Sequence, residues 1–374
     1  MNNFGDGISE GHIRRGRVRG GLTLLLEVPD AIGRMRLVMT NRVVLIMVLL
    51  GCAGALTRGL EAGAVRAAAD YSAARGGRSL LVIERGHTLL EEYPGGGSAK
   101  EARKIYSGTK AFWNLAGLAA AEDGLLSLDE HVAETIPEWR NDSRKARVTL
   151  RQLLDFSCGL DAAFFLHNDD PGNRDSIAIS LPLAADPGGA FIYGPSALQV
   201  FHEVLKRKLH GESPTHYLER RVLRRLGLGP QRYLADRAGN PLLAAGWYLS
   251  ARQWAKMGEL VLSGGAPVIS SGSLSQCWRG SPANRAFSLG WWNNRAAPGG
   301  REFDFEAALT PKWNQQNWSG ACLCRDAPSD LVACIGSAYQ RLYAIPSLDL
   351  VVVRHGNGAQ YSDGRFLRLL LGRD

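Results

Sequence analysis

The sequence predicts an α+β fold in which an antiparallel sheet is built from both chain ends and flanked by helices, with a helical subdomain inserted at approximately residues 125–290. Three observations carry this reading. Strand-like apolar runs occur near residue 80 and return only after residue 330. The stretch between them reads as helical pieces and loops. One helix, beginning at Ser107, is apolar almost all round. Of 374 residues, 45% are hydrophobic and 21% charged, which excludes disorder, collagen and coiled coil. The 44 glycines and 16 prolines follow no fixed period, so repeat arrays are excluded as well.

Residues 1–55 are set apart as a leader. Their apolar run, residues 43–56, follows Arg36 and Arg42 and is shorter than the roughly 18 to 20 residues that span a bilayer, so it reads as a secretory signal with a mature start near residues 52–56. Leu49-Leu50-Gly51-Cys52 would place a lipid on Cys52, whereas Ala53-Gly54-Ala55 suits ordinary cleavage; both stay open. Translation is expected to begin at Met35 or Met39. The expected location is the bacterial periplasm or, through the lipid, the membrane. Residues 56–374 form the folded domain.

Residues 63–77 are Ala-rich and helical, and residues 79–84 and 88–93 make a hairpin around Gly86. Residues 107–122 form the apolar helix, stopped by Asp123-Gly124 as a glycine C-cap; apolar on every side, it should run through the centre of the molecule. Shorter helices are expected at 150–156, 196–209, 217–226 and 250–262. Arg220, Arg221, Arg224 and Arg225 give the third of these a basic face, read as solvated surface. Strands follow at 331–335, 341–345 and 350–354, and residues 366–371 close the chain as a helix.

The formal charge is +8, but residues 1–51 hold seven arginines against four acids, so three of the eight charges belong to the leader and no nucleic-acid partner is expected. Six cysteines lie at 52, 158, 277, 322, 324 and 334. Export would permit disulfides, with one thiol left over if Cys52 is removed or lipidated. The Cys322-Leu323-Cys324 spacing lacks a second close pair or a nearby His, and no histidine falls in an H-E-x-x-H pattern, so neither metal nor cofactor is expected.

The sharpest chemical feature is Ser107-Gly108-Thr109-Lys110 at the start of the apolar helix. A spacing of three residues puts hydroxyl and amine on one helical face. A buried lysine without a partner loses its proton, and a neutral lysine beside a serine is a general base beside a nucleophile. The helix start adds unpaired N–H groups that favour an oxyanion. Taken alone, the tetrapeptide is a weak signal, and a serine N-cap with a solvated lysine is its ordinary reading.

The segments around it decide between these. Glu122-Asp123-Gly124-Leu125 follows the helix, the run from Val148 to Leu160 carries Thr149-Leu150-Arg151-Gln152-Leu153-Leu154, and Pro187-Gly188-Gly189-Ala190-Phe191-Ile192-Tyr193, Leu289-Gly290-Trp291-Trp292 and the stretch from Tyr343 to Arg354 come after it in order. With these the chain resembles the serine β-lactamase and penicillin-binding-protein superfamily, specifically the class C β-lactamase-related serine hydrolases that include carboxylesterases and 6-aminohexanoate-dimer hydrolase. The resemblance implies a β-lactamase/transpeptidase-like fold and an acyl-enzyme on Ser107, with Lys110 as base. Tyr193 stands at the tyrosine of the family's Y-x-N motif and would exchange protons with Ser107, its phenol pKa lowered by the charge of Lys110. Pro195 replaces the asparagine of that motif. The K-T-G motif maps to Cys334-Ile335-Gly336. Gly336 would let a substrate backbone approach, and the N–H of Ser337 would pair with that of Ser107 as the oxyanion hole. The basic residue is absent, which argues against efficient penicillin hydrolysis; Arg341 and Arg354 are candidates to replace it, and His355 reads as structural.

The expected function is therefore an exported serine hydrolase cleaving a small ester or amide. The alternatives are a β-lactamase or D-alanyl peptidase acting on cell-wall material, and an inactive homologue binding an envelope ligand.

Overall fold

The computed structural model describes residues 59–358 and 360–373. The leader, with its signal-like run and Cys52, lies outside them. No helix among the described residues is long and apolar enough to cross a membrane.

Helix α1 (Ala62–Ala74) leads into the hairpin β1 (Ser79–Glu84) and β2 (His87–Glu92). The central helix is α2 (Thr109–Glu122), and the middle of the chain supplies α3 (Ser196–Lys208) and α4 (Ala251–Leu262). The remaining strands of the main sheet are β3 (Phe287–Ser288), β4 (Trp291–Asn293), β5 (Val332–Gly336), β6 (Gln340–Ile345) and β7 (Leu350–His355), followed by α5 (Asp363–Leu370). They form one antiparallel sheet in the order β2-β1-β7-β6-β5-β4-β3. The pairing of β1 with β7 joins the two ends of the chain, with Ser79 opposite His355 and Glu84 opposite Leu350.

Strand β7 is buried along its whole length, which is why Leu350-Val351-Val352-Val353 reads as a continuous apolar run without alternation. Leu342 and Val351 face α4, lying within about 3 Å of where a side chain at Gly258 would stand. Their neighbours point the other way, where Arg341 bonds Asp363 of α5 and Arg354 bonds Ser72 of α1. Helices therefore cover both faces.

Helix α2 is buried without a break from Thr109 to Ala120, as its all-round apolar sequence requires. The hairpin of β3 and β4 is absent from the sequence-based expectation. Two- and three-residue strands are too short to show a period, so the strand preference of Trp291-Trp292 has no pattern around it to mark a strand. The expected helix at 217–226 is three pieces: an α-helix Pro214–Leu218, a π turn Glu219–Leu223 and a 3-10 turn Arg224–Leu226. Its basic face is not simply solvated surface. Arg221 turns inward to bond Asp123 at 3.0 Å and the Val268 carbonyl at 2.6 Å, while Arg220 and Arg224 pair with Glu212 and Glu219. All five described cysteines are buried and free.

Candidate active site

The site forms where the start of α2 meets the end of β5. Chain direction changes sharply at Tyr106, whose φ of +47° is left-handed and strained for a bulky residue. The turn is braced from outside: Ile105 N–H donates to the Trp247 carbonyl at 3.0 Å, and Trp247 N–H donates to Thr109 Oγ1 at 3.2 Å. Gly336, the last residue of β5, lies so close that a Cβ there would stand 2.1 Å from the Ile105 carbonyl oxygen. Glycine at this position thus serves the protein's own packing: it seats the strand end on the nucleophile turn. Ser337 follows it and is exposed.

Lys110 is 1% exposed, and Ser107 is 8% exposed. Lys110 Nζ lies 2.9 Å from Ser107 Oγ and donates to the Ala244 carbonyl at 2.7 Å. No carboxylate pairs with it among the described residues. Burial without a counter-charge pushes its pKa well below 10.5. In the neutral amine the nitrogen lone pair is free to accept the Ser107 proton, while an N–H continues to hold Ala244.

Tyr193 is packed among Phe156, Phe191, Phe287, Trp292 and Phe305. Lys110 Nζ sits 4.5 Å from its ring centroid, over the ring face. The expectation of a lowered phenol pKa is corrected here: burial raises it well above 10, and the nearby Ser107 hydroxyl only partly offsets that rise. The phenol is therefore protonated at neutral pH and can act as a proton donor. Pro195 caps α3, and Ser196 Oγ donates to the Asp161 carbonyl at 2.5 Å, so neither supplies a side-chain amide to the site.

Cys334 lies on the α4-facing side of β5 and is fully buried. The two arginines considered as replacement cations are both committed elsewhere. Arg341, fully buried, bonds Asp363 at 2.6 Å and Glu306 at 2.9 Å. Arg354 bonds the carbonyls of Tyr339 and Arg75 at 2.7 and 2.6 Å. His355 accepts or donates at 2.8 Å to Ser79 Oγ and stacks on Trp254, with burial lowering its pKa to about 3. Two contributors escaped sequence reasoning. The Ala244 carbonyl has no side-chain signature. His167 sits near enough to feel the charge of Lys110, and burial, the larger cause, takes its pKa down to about 4. One cluster, Glu302, Cys324 and Asp326, has metal-like spacing, but Arg368 bonds both of its carboxylates.

A model of the beta-lactamase family matches residues 64–371, the whole of the sheet and the site. The chain belongs to the beta-lactamase family. Solved structures agree in fold. A class C beta-lactamase from Rhodobacter sphaeroides aligns at TM-score 0.59 with 17% identity, covering 83% of this chain and 99% of that one. A family VIII carboxylesterase aligns at TM-score 0.58 with 18% identity over 84% and 97%. A D-stereospecific amidohydrolase from Streptomyces sp. aligns at TM-score 0.56 with 15% identity over 82% and 98%. No curated protein matches the chain. This beta-lactamase family member is an enzyme of the serine hydrolase class, with an antiparallel sheet and flanking helices as the sequence predicts.

Proposed function

We propose that the protein is an exported serine hydrolase that cleaves a small ester or amide through an acyl-enzyme on Ser107. The carrying observation is the 2.9 Å contact between Ser107 Oγ and a lysine amine that is buried without a carboxylate. Lys110 takes the hydroxyl proton as Oγ attacks the substrate carbonyl. The oxyanion that forms is met by the N–H groups of Ser107 and Ser337. Tyr193, protonated, gives its proton to the leaving alcohol or amine and regains one from the Lys110 ammonium, which resets both groups, and water releases the acyl group by the reverse path. Intact nucleophile, base and phenol in one cluster weigh against an inactive envelope-binding homologue.

Substrate preference follows from the departures. Binding a β-lactam needs a cation for its carboxylate and an amide for its acylamino group, whereas Cys334 is sealed in the core and Pro195 has no amide to offer. Losing one charged hydrogen bond costs roughly 1.5 to 3 kcal/mol, or about one to two powers of ten in affinity. Turnover of p-nitrophenyl acetate should therefore exceed that of nitrocefin at least about tenfold in kcat/KM. A fluorophosphonate probe should label Ser107 and fail on Ser107→Ala; persistent labelling of that variant would refute the nucleophile.

One observation favours a second reading, a β-lactamase or D-alanyl peptidase. Lys104, three residues before Ser107, has no carboxylate partner among the described residues and lies with its amine 5.1 Å from the Tyr106 ring centroid. A substrate carboxylate would find it. Preference for nitrocefin over the ester, abolished by Lys104→Ala, would establish this reading in place of the first.

A further inference from the structure

The amine of Lys110 has two hydrogen-bond partners, and one of them is main chain. The Ala244 carbonyl belongs to a tight loop closed by Gly246 N–H to Leu242 O at 3.0 Å and by Leu242 N–H to Leu234 O at 2.8 Å. Asn173 and Arg174 brace its far side at Asn240, and beside Ala244 the side chain that reaches in from the helical subdomain is Gln199. Gln199 of α3 accepts from Leu243 N–H at 3.1 Å through Oε1 and donates from Nε2 to Asp175 Oδ1 at 2.8 Å. Asp175 Oδ2 is 2.6 Å from Nδ1 of His202, one turn further along α3. Gln199, Asp175 and His202 are 0%, 2% and 3% exposed.

The polarity of this chain is set chemically. A carboxylate only accepts, so the amide must turn its NH2 to Asp175 and its oxygen to the backbone N–H. A buried amide with both ends satisfied is rigid, and a buried polar network that is completely paired specifies one arrangement of the loop it holds. The residue after Leu243 is the one that grips the lysine.

We propose that Gln199 is the positioning residue of the base: oriented by Asp175, it fixes the loop whose carbonyl holds Lys110 Nζ against Ser107. This rests on Lys110 acting as base for Ser107. The groups that face the amine are the Ser107 hydroxyl and the Tyr193 ring, and the His167 imidazole is the titratable group that interacts with it electrostatically. None is anionic, so the Ala244 carbonyl is the neighbour that favours the protonated lysine, and releasing it lowers the lysine pKa further.

Gln199→Leu removes both bonds at nearly constant volume. Displacement of the base by about 1 Å is expected to lower kcat for p-nitrophenyl acetate and the rate of fluorophosphonate labelling at Ser107 about 10²-fold, with KM within about threefold. The acid limb of the kcat/KM profile should move to lower pH, which loss of folded protein alone would not produce. The double variant Gln199→Glu/Asp175→Asn reverses the polarity at the same net charge: the introduced carboxylate accepts from Leu243 N–H and from the introduced amide, whose oxygen still accepts from His202. It should recover to within about tenfold of wild type, and should exceed Gln199→Glu alone, where two carboxylates face each other, by about tenfold or more. That comparison decides the question even if Gln199→Leu does not fold.

Wild-type labelling rates in Gln199→Leu, reduced activity with an unmoved acid limb, or a double variant no faster than Gln199→Glu would each overturn the assignment. Failure of the wild-type protein to label at Ser107 would instead overturn the reading of the nucleophile and its base, so the two failures are distinguishable.

Discussion

Replacing Lys110 with methionine separates what the lysine does for catalysis from what it does for the fold. Methionine fills a similar volume but cannot accept a proton, so Ser107 keeps an ordinary hydroxyl and turnover of p-nitrophenyl acetate should fall by roughly 10² to 10⁴. Stability should respond differently. The variant leaves the Ala244 carbonyl, held at 2.7 Å in the wild type, without its donor; an unsatisfied buried acceptor costs about 1 to 3 kcal/mol. Against this, the wild type has taken a fully buried amine out of water with no counter-ion, an expense of about the same size that the thioether avoids. The two offset, so the melting temperature should stay within about 4 °C at roughly 2 to 4 °C per kcal/mol. Initial rates, scanning calorimetry at one fixed scan rate, and circular dichroism decide the matter. Activity within tenfold of wild type would remove Lys110 from the mechanism. A fall of more than about 8 °C would show that the lysine is chiefly a structural support.

Tyr193→Phe should also cost about 10² to 10⁴ in turnover, and Lys110→Met/Tyr193→Phe should lose much less than the product of the two, since the groups act as one unit; full additivity in kcat would contradict this. Cys334→Lys is expected to bury a charge in the core, lowering the melting temperature and the expression yield without raising nitrocefin turnover; a stable variant with gained nitrocefin turnover would show that the strand can present that side chain. Asp155, buried beside Ser288 and Leu289, has a pKa raised by burial to about 6 from 3.8. The native state therefore holds this proton more tightly than the unfolded chain, so its contribution to stability falls as pH rises from about 4 through about 6 and is level above, by up to about 3 kcal/mol. The difference in melting temperature between Asp155→Asn and wild type should move in favour of the variant by several degrees between pH 4.5 and pH 7.5, and a pH-independent difference would show that this carboxyl does not titrate there.

Elements with long or unmixed patterns were legible in the sequence. The triple valine of β7, the Ala-rich α1 and the uniformly apolar α2 each carry their burial on their face, and the pairing of chain ends follows from where strand signals occur. The Ser107 and Lys110 pair was legible because three residues of helix fix its geometry locally. What failed was whatever depends on distant partners. Arg221 looks like surface until Asp123, at the end of α2, draws it inward. The raised phenol pKa of Tyr193 comes from burial among five aromatic neighbours drawn from separate segments, which the sequence does not bring together. Gly336 was read for a substrate alone, and the sequence did not show that the Ile105 carbonyl occupies the space a Cβ would take there. The Ala244 carbonyl, like any main-chain group, is invisible until the loop that aims it is seen.

The union of both chain ends in one sheet sets the timetable of folding. Ser79 meets His355 from 276 positions away along the chain, so β1 has no partner on its inner edge until nearly the whole polypeptide exists. At ribosomal speeds of about 5 to 20 residues per second, Leu80, Leu81 and Val82 wait roughly 14 to 55 s with that edge open. A sheet with this contact order closes late and slowly. The nucleophile turn, which leans on the end of β5, is assembled only after that closure. A nascent chain therefore carries Ser107 and Lys110 for most of its synthesis without being able to use them, and its β1 edge stays open to pairing with other chains for as long.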